Sequence, residues 1–305
     1  MLANTGRHSL IKLEAMIMHI RTDHPIILHR NKITHKIANY WDQLSEGWRL
    51  VWGPHIHHGY YEDSQAIDPQ DAQEILIKKL ANLLEITAND KILDVGCGMG
   101  GSSLYLAQNY QAEVTGITLS PKQVGIATQQ SQEMNIKNVS FIVEDALDLK
   151  SMPNESFDIV WSLESCEQFF DKNLFLQEAY RVLKPGGKLM LATWCSSEEE
   201  YSGKFAKKYQ KLCLAFDLPY MPTIKCYQQL INKQQFILKT AENWSSFVKQ
   251  SWDVGITLLQ AYNFLQIIRV GGWRGFRFAK QVKLMREAFA QNRVQYGVFL
   301  ANKPE

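Results

Sequence analysis

No Cys-x-x-Cys pair occurs in this chain, and its five cysteines, Cys97, Cys166, Cys195, Cys213 and Cys226, are odd in number and scattered. That pattern excludes a disulfide framework and fits reduced thiols in an intracellular, cytoplasmic enzyme. An excess of one charge is also lacking: 33 Lys and Arg stand against 31 Asp and Glu, a net +2. Such a balance leaves no electrostatic footprint for nucleic acid. No apolar run reaches the roughly 18 residues of a membrane helix. Lys12, Glu14, Arg21 and Asp23 interrupt the N-terminal region, which argues against a secretory signal. Internal repeats and low-complexity tracts are absent. Histidine is absent beyond position 58, since all eight imidazoles lie at or before His58. A histidine base must therefore come from the N-terminal region. The His-x-His-His cluster has no carboxylate or thiolate at ligand spacing, so no metal site is expected.

What is present centres on Lys91-Ile92-Leu93-Asp94-Val95-Gly96-Cys97-Gly98-Met99-Gly100-Gly101-Ser102-Ser103. It reads as a buried strand, a glycine turn and a helix start. Gly96, Gly98 and Gly100 let the backbone approach a ligand closely, and the free N–H groups of the helix point back at the turn. The glycines also satisfy the dinucleotide pattern G-x-G-x-x-G, which needs an acid about 20 residues onward for the ribose. That place is Gly116-Ile117-Thr118-Leu119-Ser120, with no acid. Asp94, two residues before the first glycine, suits an ammonium group instead. S-adenosylmethionine carries one, and NAD does not.

The chain, 305 residues long, is enough for one α/β domain with a sizeable insertion, or for two small domains. Residues 1–35 are weakly patterned and read as a loosely structured extension. Residues 36–65 form an aromatic and histidine-rich lid. Ile37, Tyr40, Trp41 and Leu44 fall at helical spacing, and Gly53-Pro54 stops any single helix there. Residues 66–195 read as the cofactor-binding core, with strands at 91–95, 113–118, 139–143, 157–161 and 188–193 separated by helices. This rhythm predicts a Rossmann-like α/β fold, a doubly wound parallel sheet of about seven strands. Residues 196–305 read as a helical substrate cap plus the last strands, at 236–240 and 295–300, with a bend at Gly271-Gly272.

Ligands bind beyond the carboxyl ends of the strands in such sheets. That rim collects Asp94, Thr118, Asp145 and Glu164. Asp145-Ala146 suits an adenine, with Ala146 leaving room for the ring. Thr118, Leu119 and Gln123 can reach the ribose. Glu164 opens toward the methyl acceptor. His57 and His58 either face the substrate or make structural hydrogen bonds.

The run Ile92–Ser103 resembles the first motif of class I S-adenosylmethionine-dependent methyltransferases, and Phe157–Ser162 and Arg181–Gly187 resemble their later motifs. Gly116–Pro121 with Gln123 resembles the branch holding cyclopropane-fatty-acid synthases and γ-tocopherol methyltransferases. Trp52–Tyr61, Val160–Ser165 and Thr193-Trp194-Cys195 are most similar to the tocopherol methyltransferases, a group that includes plant alkaloid N-methyltransferases. The resemblance runs from about residue 36 to the C-terminus. It implies S-adenosylmethionine as cofactor and a small apolar aromatic acceptor, either a tocopherol-like phenol methylated on oxygen or an indole-type specialised metabolite methylated on nitrogen. C-transfer to a lipid and a non-catalytic cofactor-binding module are further alternatives. A lipid acceptor would bring peripheral contact with a membrane. Where the tocopherol enzymes carry a Gly-Glu-His-Met-like run, this chain has Cys166-Glu167-Gln168-Phe169, with glutamine in the place of histidine. The candidates for a base are His57, His58 and Glu164, in no fixed order.

Overall fold

The computed structural model describes residues 25–62, 67–261 and 281–305. The expected bend at Gly271-Gly272 lies outside them. A helix, α1 (Pro25–Trp52), opens the described chain and ends at Gly53-Pro54. It crosses the boundary expected near residue 35, because Ile33, Thr34 and Ile37 continue the same inward stripe that Trp41 occupies. The core then alternates: α2 (Pro69–Leu84), β1 (Lys91–Val95), α3 (Gly101–Tyr110), β2 (Glu113–Thr118), α4 (Pro121–Glu133), β3 (Val139–Val143), β4 (Phe157–Leu163), a 3₁₀ turn (Cys166–Gln168), α5 (Lys172–Val182) and β5 (Leu183–Ser196). α6 (Gly203–Ala215), α7 (Ile224–Lys233), β6 (Ile237–Asn243), α8 (Ser245–Val248), α9 (Gln250–Gln260), a helical stretch over 281–290 and β7 (Val294–Asn302) complete it.

The seven strands form one sheet in the order β3-β2-β1-β4-β5-β7-β6. β1 through β5 pair in parallel, as the alternating pattern predicts. β7 differs: it runs antiparallel to both β5 and β6. The reason is the insertion. β6 ends on the carboxyl rim, and the chain re-enters the sheet from that same side, so β7 must run back down.

The sheet is buried on both faces, so its strands read as apolar runs rather than alternating ones. One core layer joins α2, α3 and the cap, with Leu76, Leu80, Ile92, Trp161 and Tyr296 fully buried. The other joins α5 and α7, with Leu93, Val160, Phe175 and Tyr227. Ser120 caps α4 as its sequence suggests, its hydroxyl accepting from the Gln123 N–H at 3.1 Å, with Pro121 at the first helical position.

Candidate active site

The rim carries two cavities that meet. The first, of about 1020 Å³ including its mouth, is lined by Asp94, Gly96, Gly98, Thr118, Leu119, Gln123, Asp145 and Ala146, so eight of the nine expected cofactor residues stand together. The ninth, Gly100, lies outside its wall. A Cβ there would meet Ala127 and Phe141 at 2.9 Å, so Gly100 is small for packing against α4 and β3, and Gly101 lines the cavity instead. Gly96 has φ of +80°, and a Cβ on it would strike Ser165. Gly98 has φ of +55°, and its Cβ would meet no protein atom within 4 Å. The turn therefore opens its backbone onto the cavity, as a close-lying ligand requires.

Asp94 is buried and accepts one side-chain hydrogen bond, from Ser103 Oγ at 2.5 Å. Burial pushes its carboxyl up to about 7, against the lowering effect of that hydroxyl. A buried acid facing a cavity with one neutral donor fits a cationic guest. Thr118 Oγ1 donates to Gln123 Oε1 at 2.6 Å, so the two expected ribose residues orient one another. Asp145 accepts from the Leu147 N–H at 2.9 Å and receives Thr34 Oγ1 at 3.5 Å. These groups fit S-adenosylmethionine: Asp94 for its positive charge, Gln123 and Thr118 for its ribose, Asp145 and Ala146 for its base.

Sequence reasoning expected a lid from residue 36 onward but did not include Ile33 and Thr34. Ile33, Thr34, Ile37 and Trp41 of α1 line this cavity. The signal was present in the helical spacing of Ile37 and Trp41, but spacing does not reveal which surface a stripe covers. Trp41 Nε1 donates to Gln168 Oε1 at 2.7 Å, and Gln168 Nε2 donates to the Phe216 carbonyl at 3.1 Å. The residue standing in place of histidine is thus a latch between lid, core and cap.

The second cavity, about 870 Å³, has walls of Tyr40, Trp48, Trp52, Trp194, Phe216 and Trp252 with His58 and Glu167. Trp41, Ile56, His57, Glu164 and Gln168 border both cavities. At this junction Glu164 sits at the end of β4 with φ of +49°, a left-handed conformation uncommon outside glycine. Its Oε2 accepts His58 Nδ1–H at 2.8 Å, and its Oε1 accepts the His58 backbone N–H at 2.8 Å and the Tyr296 hydroxyl at 2.9 Å. Burial works to raise the Glu164 carboxyl, but the charges and hydrogen bonds of His58 and His57 outweigh it and hold it below the usual range. Glu164 is therefore an ionised anchor for His58. With three donors on it and its carboxyl held low, it is a poor proton acceptor near neutral pH. Tyr296 is the other member that the sequence did not reveal, since it arrives on a strand 132 residues away.

His58 Nδ1 is committed to Glu164, which leaves Nε2 as the ring atom available to the second cavity. His57 differs. Its Nδ1–H donates to the His58 carbonyl at 2.8 Å, its Nε2 is buried without a partner, and burial lowers its pKa, which makes it a poor proton acceptor.

The strand order, the glycine turn and the paired cavities at the carboxyl rim are those of a class I S-adenosylmethionine-dependent methyltransferase. The family described as Methyltransferase domain matches residues 86–258. Over 283 residues the chain is 32% identical to a probable tocopherol O-methyltransferase, chloroplastic, of Oryza sativa subsp. japonica, covering 88% of this chain and 78% of that protein. It is 33% identical over 291 residues to the 2-methyl-6-phytyl-1,4-hydroquinone methyltransferase of Synechocystis sp., covering 87% and 86%. Among solved structures, the 4+2 cyclase SpnF has a TM-score of 0.79 and 25% identity, with 89% of this chain and 97% of that chain covered. The chain belongs to the S-adenosylmethionine-dependent methyltransferases, in the tocopherol methyltransferase group.

Proposed function

We propose that this enzyme methylates a phenolic oxygen of a small apolar aromatic acceptor held in the second cavity. The carrying observation is the Glu164–His58 pair at the junction of the cavities. The named activities of the rice and Synechocystis relatives support the acceptor class. When bound, S-adenosylmethionine supplies an electrophilic methyl on a sulfonium centre.

The chain's own residues do the rest. The indole and phenyl walls hold an apolar ring and keep water from the junction. A phenol with a pKa near 10 is a poor nucleophile at neutral pH. Because Glu164 is ionised, the proton of the His58–Glu164 bond rests on Nδ1, and Nε2 carries a lone pair in the neutral ring. The phenolic proton passes to Nε2, and the imidazolium so formed is balanced by Glu164. Such general-base assistance contributes about 10²–10⁴-fold.

Purified enzyme with S-adenosylmethionine and a set of alkylated phenols, hydroquinones and indoles should yield a phenolic product heavier by one methylene. Methylation confined to the indoles would overturn this reading. His58→Ala should lower kcat by about 10²-fold or more while leaving cofactor affinity near its original value. Unchanged kcat in that variant would remove His58 from the mechanism.

A further inference from the structure

Lys172 opens α5 and is fully buried. The position is unfavourable in two ways. An ammonium rarely lies wholly inside a protein, and this one stands at the end of a helix whose dipole opposes positive charge. Burial lowers its pKa to about 8, so it is still an ammonium at neutral pH. The three protons of Nζ meet three backbone carbonyls: Glu167 at 3.0 Å, Phe169, and Tyr220 at 3.3 Å. The Tyr220 ring centroid lies 4.2 Å from the same nitrogen, within cation–π range.

Two of those carbonyls belong to the turn after β4. The third belongs to the loop that joins α6 to α7, which supplies Phe216 and Leu218 to the wall of the second cavity. One end of this loop is held by Gln168, through the Phe216 carbonyl, and the other by the Ser196 N–H, which donates to the Pro222 carbonyl at 2.9 Å. The N–H groups of Leu218 and Met221 bond to the Cys213 carbonyl and the Tyr209 hydroxyl, so they order the loop against its own helix. Between the two ends, the Tyr220 carbonyl on Lys172 ties it to the core.

We infer that Lys172 is a positioning residue for the acceptor: its ammonium pins the middle of this loop to the turn beside Glu164 and thereby fixes the wall that Phe216 and Leu218 present to the acceptor ring. The inference takes the second cavity as the acceptor site, as proposed above. Lys172 lines neither cavity and acts through the loop alone. The turn keeps bonds of its own, from the Gln168 N–H to the Ser165 carbonyl and from the Phe169 N–H to the Cys166 carbonyl, both at 3.2 Å. Loss of the ammonium should therefore release the loop and leave the turn, Glu164 and His58 in place.

The test compares the original enzyme with Lys172→Met, which keeps the length of the side chain and removes its donors. The acceptor is whichever alkylated phenol the original enzyme methylates best. If the loop then holds its closed position about a tenth of the time, the acceptor KM rises about tenfold. Both kcat and the calorimetric Kd for S-adenosylmethionine should stay within about twofold, since only acceptor binding is lost. Asp171→Ala is the control for the helix start. Asp171 Oδ1 accepts the Leu174 N–H at 2.9 Å, so this variant removes the cap of α5 without touching the three carbonyls. It should lower the Tm and leave the acceptor KM alone. An unchanged KM in Lys172→Met, a loss confined to kcat or to cofactor Kd, or an equal rise of KM in Asp171→Ala would overturn the inference. If Lys172→Met does not fold, Lys172→Gln, which keeps two donor protons, takes its place: a rise of about threefold or more in KM supports the inference, and an unchanged KM overturns it. If the original enzyme methylates none of the phenols, the phenolic reading fails. Hydrogen exchange then decides the tie alone: faster exchange across residues 214–224 in Lys172→Met than in the original supports it, and equal rates overturn it.

Discussion

Buried beside a single hydroxyl donor, Asp94 holds its proton up to about pH 7. A raised carboxyl contributes stability to the free protein at low pH, and that contribution is lost as pH rises through about 7. A cationic cofactor reverses the preference, because it favours the carboxylate. Binding then releases one proton below about pH 7, so affinity should rise with pH, by up to about tenfold per unit, and level off above. Calorimetric Kd values from pH 5.5 upward, estimated to bracket the transition at about 7, check this, and Asp94→Asn should flatten the dependence. Gly98→Val should abolish cofactor binding while costing roughly 1–2 kcal/mol in stability, since φ of +55° is strained for any L side chain. Retained affinity would mean that the turn does not hold the cofactor. At this scale the sequence was informative about position: Asp94, Thr118 and Asp145 at strand ends and Gln123 in the first turn of α4 all line the first cavity. It misplaced Gly100 because a glycine required for packing against Phe141 and one required for a ligand look alike in a string of letters.

Among the elements, α1 is held to the core at points around the first cavity. Asp42 accepts from Ser120 Oγ and from the Lys122 N–H, so the lid helix sits on the start of α4. Gln168 joins Trp41 to the backbone at Phe216, where α6 ends. Gln168→Leu leaves both partners without their hydrogen bonds and should cost about 1–2 kcal/mol, read in urea melts, with a several-fold weaker cofactor Kd. Unchanged stability would show the latch to be incidental. The core strands and Ser120-Pro121 were legible because apolar runs and caps are local signals. The reversed direction of β7 was not, because it depends on which side of the sheet the cap leaves the chain. The weak pattern before residue 35 also hid Ile33 and Thr34, which line the first cavity beside distant strand ends.

Across the whole molecule, the site exists only when three separated stretches meet: α1 with the histidine segment, the strand ends, and the cap beyond Phe216. Occupancy of the first cavity should therefore stabilise the entire fold. S-adenosylmethionine at about 100 times its Kd should add close to 2.7 kcal/mol, seen as a higher Tm, and NADH should give no shift. A shift with NADH alone would contradict the cofactor assignment. The likeness to a 4+2 cyclase shows that this architecture serves more than one reaction, so the chemistry must be argued from side chains such as His58 and Glu164. The lid helix has one further consequence. Ile33, Thr34, Ile37 and Trp41 line the first cavity, so an occupant lies directly against α1. Whatever seats itself there should steady that helix, and whatever loosens the helix from the strand ends should weaken the grip on the nucleoside.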